Sequence, residues 1–336
     1  MTPASLENVV AVVAELLHDR IGLRPDQNLR GRLRRAIIEE AARHRDAPTA
    51  YADRLLADRA ALQGLLNVVT VQETSFFRHP EQFEILAKDV LPTLAPPVRM
   101  WSAGCANGQE AYSLAMVLEE QQISGEVIAT DLSTTALRRT AAGRYTKREL
   151  SGLSPERLSR HFNQYGDTWH VDEPIRNRVR TLHHNLIDPL PAETRSCHVV
   201  FCRNVLIYLS PEQARRFLDR LVDALPASLT LFVGTSETIW QVSDRFEAVQ
   251  RAGSFLYRPS DRSVTVTPTP ATPTPATPTP ATPTPATPRP HPRRSRPGHG
   301  SSRNEPRPGA FPGLHQPRPT GRRRRPPARH PTARRT

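Results

Sequence analysis

The stretch Val98 to Leu118, VRMWSAGCANGQEAYSLAMVL, reads as a strand running into a turn with Gly104 and Gly108, then into a helix opened by Glu110. Glycine suits a place where the backbone turns sharply and a ligand comes close, and the first N–H groups of a helix are free donors for an anionic group. As a bare GxxxG pattern the segment is equally an ordinary strand-to-helix turn. Asp131 closes the next apolar run, VIATDLS. A carboxylate at the tip of a second parallel strand can hydrogen-bond ribose hydroxyls, and its plainer role is to cap the following helix. In VTVQETSFFRHPEQF two phenylalanines precede Arg78. Phe76 and Phe77 call for burial, whereas the always-charged guanidinium needs a partner, either a substrate or cofactor carboxylate or a surface ion pair. Asn185 and Asn204 each follow an apolar run, where open parallel sheets place ligand loops or plain turns.

The elements that must position these side chains follow from periodicity. Leu6, Val9, Val10, Val13, Leu16 and Leu17 form one helical stripe, and Leu29, Leu33, Ala36, Ile37 and Ala41 a second, flanked by Arg30, Arg32, Arg34 and Arg35. A third helix is expected over Ala50 to Leu66, completing a helical domain at 1–70. From Val98 short apolar strands alternate with helical stretches: 98–101 then 109–120, 126–130 then 133–142, 197–202 then 211–224, and 229–233. That alternation predicts a parallel α/β sheet with helices on both faces. Within 71–260 a small antiparallel insertion is expected over 162–182, with Trp169-His170-Val171 and Arg178-Val179-Arg180 flanking a turn at Asp172 to Pro174. Phe246 to Tyr257 is expected to close the sheet as a hairpin.

Charge divides the chain differently. Residues 261–336 hold 15 of its arginines, no lysine and 2 acidic residues, so the formal net charge of +13 is the charge of this tail. The same 76 residues contain 20 of the 34 prolines, a composition that buries too little apolar surface to repay chain ordering. Disorder is expected there, with polyproline II over four TPTPA repeats and a cationic cluster at Arg322 to Arg325. The start, MTPASLENVV, has no basic region ahead of an apolar one, and no apolar run reaches the ~18 residues of a membrane span. Three cysteines without CxxC spacing and scattered histidines predict reduced thiols, no metal site and a cytoplasmic location.

QETSFFR, WSAGCANGQEAYSLAM, ATDLS, HNLIDP and FCRNVLIYL stand in the order seen in the CheR-type chemotaxis receptor methyltransferases, and the chain resembles that family over residues 5–258. The resemblance implies a Rossmann-like S-adenosylmethionine-dependent methyltransferase sheet with a small N-terminal all-helical domain and a small antiparallel β insertion that docks the receptor. It implies methylation of glutamate side-chain carboxylates on the cytoplasmic domain of methyl-accepting chemoreceptors. Residue by residue, it implies cofactor contacts at Gln72, Thr74, Arg78, Glu110, Asp131, Asn185, Leu186, Asn204 and Val205. Gln72 stands where the family has Asn, and Gln109 where many members have a second Glu. Tyr208 is the candidate for the methyl-transfer site, with a core aromatic as its alternative. The run Arg30 to Arg35 is a docking candidate for an acidic receptor surface.

Two other readings stay open. One keeps the cofactor and changes the acceptor, with the basic tail bringing the enzyme to an anionic surface or nucleic acid; FCRNVLIY in place of an NPPY-type segment speaks against nucleic acid. The other is a catalytically silent regulator that binds the cofactor. If the tail is a separate appendage, deleting 261–336 leaves affinity for S-adenosylhomocysteine unchanged in calorimetry, and a large loss would overturn the boundary at 260.

Overall fold

The computed structural model describes residues 3–260. The expected disorder, the TPTPA repeats and the Arg322 to Arg325 cluster lie outside the described residues. The chain begins with four helices, α1 (Pro3–Ile21), α2 (Gln27–His44), α3 (Pro48–Ala57) and α4 (Arg59–Val69). Their apolar stripes meet in one cluster in which Val13, Leu17, Leu33, Ile37, Leu55 and Leu65 are almost fully buried. The single helix expected over Ala50 to Leu66 is two helices, and Asp58 is the reason. Its extended backbone (φ −115°, ψ 111°) ends α3, and its carboxylate accepts the Ala60 N–H to cap α4.

After α5 (Pro80–Ile85) the chain enters β1 (Val98–Ala103), α6 (Gln109–Glu120), β2 (Gly125–Asp131) and α7 (Thr134–Ala142). Then follow β3 (Arg144–Thr146), α8 (Pro155–His161), β4 (Phe162–Tyr165), β5 (Thr168–Val171), α9 (Glu173–Arg176) and β6 (Val179–His183). The last elements are β7 (Val199–Cys202), α10 (Pro211–Ala224), β8 (Thr230–Val233), β9 (Phe246–Arg251) and β10 (Ser254–Pro259). Seven strands form one sheet in the order β6-β2-β1-β7-β8-β10-β9, parallel except for the closing β9–β10 hairpin.

The antiparallel insertion differs from its expected layout. Its turn lies at Gly166, in the left-handed region (φ 59°), and joins β4 to β5, while β3 pairs with the other edge of β5. Residues 173–176 coil into α9, and 179–183, expected as the second arm of the hairpin, form the parallel edge strand β6 beside β2. Short strands with mixed burial carry little alternation, so partner choice was not readable from the local pattern.

Both faces of the inner parallel strands β1, β2, β7 and β8 are covered, which is why they read as apolar runs, unlike the edge strand β6. Met100 packs with α6 and the Phe76-Phe77 segment on one face. Trp101 points to the other, against Phe217, Leu218 and Leu221 of α10, and its ring meets Phe217 edge-on at 6.0 Å. Phe217 is fully buried. Phe217→Ala is expected to lower unfolding stability by about 3–5 kcal/mol, read as a lower urea midpoint.

Candidate functional site

The order of strands reverses direction at β1, with β2 on one side and β7 on the other. The loops beyond the carboxyl ends of these strands therefore border a crevice, the place where open α/β sheets bind ligands. After β1 the chain passes through Gly104 (φ 82°) and Gly108 (φ 91°) into α6. A Cβ on Gly104 would lie 2.6 Å from Val205 Cγ2, so glycine is what lets the two loops close on each other. One cavity results, of about 1000 Å³ counting its open mouth. Gln72, Thr74, Arg78, Glu110, Asp131, Asn185, Leu186, Asn204, Val205 and Tyr208 all line it, so the ten residues singled out from the sequence come together.

Asp131 is buried, and it is not the helix cap, a role taken by Ser133. Its carboxylate accepts the Ala106 and Ser133 N–H groups, both at 2.8 Å, which pins Ala106 in a left-handed conformation (φ 49°). Burial raises its pKa, against the pull of those two N–H groups. Glu110 is tied on both oxygens, by Ser102 Oγ at 2.7 Å and by Arg203 Nε at 2.7 Å. Gln109, beside it, does not reach the cavity. Arg78, part-exposed, donates to the Glu73 carbonyl at 3.2 Å and lies 3.6 Å from the Glu73 carboxylate. Phe76 and Phe77 are buried, as their apolar rings demand.

Asn185 donates to the Arg20 carbonyl at 3.1 Å, and Leu186 is buried beside it. Asn204 is left-handed (φ 58°) and its N–H donates to Glu237 at 2.7 Å. Tyr208 is half-buried at the wall rather than in the core, and burial raises its pKa. The Arg32 guanidinium lies 5.8 Å from its ring centre and donates to the Val69 carbonyl at 2.9 Å.

Four contributors were not singled out from the sequence as residues of this site. Arg203 stands inside the FCRN motif and is nearly inaccessible, and a charged residue at the end of an apolar strand was its visible signal. Arg32 belongs to the arginine run on α2, yet its side chain reaches the cavity wall instead of an outer face. Glu237, beyond β8, carried no local signal. His184, one residue past β6, lines the cavity, while His183 at the end of the strand is exposed. The helical bundle supplies Ile21 and Leu23 to the same wall. It is held there by bonds from Arg24 N to Tyr208 O and from Ser210 N to Gly22 O.

Three buried polar atoms of lining residues, Gln72 Oε1, His184 Nε2 and Asn204 Oδ1, have no protein hydrogen-bond partner. Such atoms cost stability unless a ligand or water satisfies them. Among the described residues no group of three or more His, Cys, Asp or Glu is placed to hold a metal ion. Nor is any helix among them long and apolar enough to cross a membrane.

Residues 72–254 match the family model described as CheR methyltransferase, SAM binding domain. The chain is similar to chemotaxis protein methyltransferase 1 of Pseudomonas aeruginosa, 37% identical over 61% of this chain and 80% of that protein. It is also similar to the chemotaxis protein methyltransferases of Vibrio parahaemolyticus, 36% identical over 57% and 74%, and Listeria monocytogenes, 32% identical over 56% and 74%.

Burial holds the His184 pKa down to about 4, so the folded chain keeps it neutral while the unfolded chain takes up a proton below its ordinary 6.5. The stability tied to neutral His184 is full above pH 6.5 and is lost as pH falls toward 4. His184→Gln is expected to remove that part of the acid loss, measured by urea unfolding of both proteins across this window.

Proposed function

The chain belongs to the CheR methyltransferase family, and from that premise we propose that its cleft methylates glutamate side chains of a chemoreceptor's cytoplasmic domain. It is a methyltransferase whose cofactor is S-adenosylmethionine. The observation that carries the assignment of the site is the meeting, in one cavity, of two buried carboxylates, Glu110 and Asp131, with the part-exposed Arg78 guanidinium and three unpartnered buried polar atoms. That set fits the cofactor's chemistry: hydroxyls on a ribose, an amino-acid end with both charges, and a base with a polar edge.

Asp131 is the acceptor for ribose hydroxyls, since each of its oxygens keeps a lone pair beyond the backbone N–H it already accepts. Arg78 serves the carboxylate of the amino-acid end, and Glu110 its ammonium. Gln72, Thr74, Asn185, Leu186, Asn204 and Val205 complete the contacts. Gln72 is one methylene longer than asparagine; its Nε2 donates to Thr70 Oγ1 at 3.0 Å, and its Oε1 is buried with no protein partner. When bound, S-adenosylmethionine supplies a methyl group on a positively charged sulfur.

A glutamate acceptor is already ionised at neutral pH and needs no base. What the chain must do is align the acceptor and keep water out, and both are served by a cleft whose wall includes the apolar Ile21 and Leu23. Tyr208, a phenol that is protonated at neutral pH, is assigned to the acceptor side as a hydroxyl donor. The exposed arginines of α2 and the β3–β5 sheet are the receptor-docking candidates. The domain limits 1–70, 71–260 and 261–336, a cytoplasmic location and contact of the basic tail with an anionic surface belong to the same proposal.

Calorimetry with S-adenosylhomocysteine is expected to give 1:1 binding, weakened about tenfold or more (about 1.4 kcal/mol) by Asp131→Ala and by Arg78→Ala. Incubation with a receptor cytoplasmic fragment and labelled cofactor should yield label that mild alkali releases as methanol, as an ester does. Alkali-stable label would overturn the glutamate acceptor, and absence of binding by the folded wild type would overturn the site.

A further inference from the structure

Two carboxylates at this cleft perform the same task on different loops. Asp131 holds left-handed Ala106 through its N–H, and Glu237 holds left-handed Asn204 in the same way. Non-glycine residues adopt that backbone at a cost and keep it only where the surroundings impose it. Glu237 is buried, and its carboxylate accepts three N–H groups: Asn204 and Gly234, both at 2.7 Å, and Ile207 at 3.2 Å. It therefore joins the end of β8 to the whole loop that follows β7. That loop carries Asn204 and Val205 into the cavity and, one residue past Ile207, Tyr208.

The packing around Glu237 leaves little slack. A Cβ on Gly234 would lie 2.8 Å from both Glu237 Oε2 and Asn204 Nδ2. Asn204 Oδ1, the atom this backbone conformation directs, is buried and has no protein partner. Glu237 itself does not line the cavity. We propose that Glu237 is a positioning residue of the methyltransferase site, whose buried carboxylate sets the Asn204-Val205-Tyr208 loop in its ligand-ready form. The inference rests on the reading of this cleft as the S-adenosylmethionine site.

Carboxylate chemistry is what the position requires. Three donors converge on it, so an amide of the same size would set an NH2 group against at least one backbone N–H. Glu237→Gln tests this in the full chain, with Gly234→Ala disturbing the same contact from the opposite side and Phe217→Ala as a destabilised control away from the cavity. Thermal unfolding confirms that each variant is folded, and calorimetry reads its affinity for S-adenosylhomocysteine. The expected result is binding about tenfold weaker in both Glu237→Gln and Gly234→Ala, and unchanged in Phe217→Ala. The KM for S-adenosylmethionine should rise in parallel. Wild-type affinity in folded Glu237→Gln would overturn the proposal, as would equal losses in Phe217→Ala, because a purely structural role would lower stability alone. Failure of the wild type to bind would instead sink the assignment of the cleft.

Discussion

The buried ion pair between Arg203 and Glu110 is the constraint around which the cleft is arranged. Both side chains are nearly out of water, at 2% and 9% exposure, so each charge depends on the other and on its remaining hydrogen bonds. The guanidinium meets those demands by reaching several segments at once. It donates to Glu110, to Gln82 Oε1 and to the Arg78 carbonyl, and it lies over the adjoining rings of Phe83 and Phe201. Gln82 passes the connection on to the Val233 carbonyl at the end of β8. A charge that cannot be left unpaired thus fixes the relation of the loop before α5, the start of α6 and the ends of β7 and β8. Those are the segments that carry Arg78, Glu110, Asn204 and Glu237.

Around this hub, four of the seven non-glycine left-handed residues among the described residues border the cleft. Phe77, His79, Ala106 and Asn204 are all left-handed without being glycine, and each lies in a loop bordering the cleft. Backbone in that state persists when specific acceptors hold it, and here Asp131 and Glu237 act on two of the four. The same loops contain buried polar atoms that the protein leaves unsatisfied. A site with fixed backbone and unspent hydrogen-bonding capacity is preorganised for a polar ligand.

The helical bundle takes part in the site as well. Asn67 on α4 accepts from Ser133 Oγ and Thr134 Oγ1 and donates to the latter, and Gln63 donates to the Leu132 carbonyl just past Asp131. Elsewhere on the wall, Leu23 pairs with Leu209 as an isolated bridge, one residue beyond Tyr208. The bundle is thereby bonded both to the loop after β2 and to the loop after β7, and the Arg32 guanidinium lies 5.8 Å from the Tyr208 ring centre. An arginine run that looks from composition like a docking stripe is thus divided, with Arg32 turned inward and Arg34 paired with Glu7 at 2.6 Å.

Much of this was legible locally. The helices 109–120 and 211–224 fall where their apolar spacing put them, because an amphipathic stripe of that length has one way to hide from water. Apolar runs marked the inner parallel strands β1, β2, β7 and β8 for the same reason, and the ordered motifs marked ten of the residues that line the cavity. Short-range capping chemistry divided α3 from α4 at Asp58, a signal present in the chain but weaker than the helical periodicity around it. Tertiary structure alone decided that 179–183 joins the parallel sheet, that Arg203 rather than solvent balances Glu110, and that Glu237 closes on Asn204 from 33 residues away. Strand partners and buried charge partners are chosen by long-range geometry, since the energy of an ion pair or a ladder depends on which groups leave water together. Periodicity records only whether a residue leaves water at all.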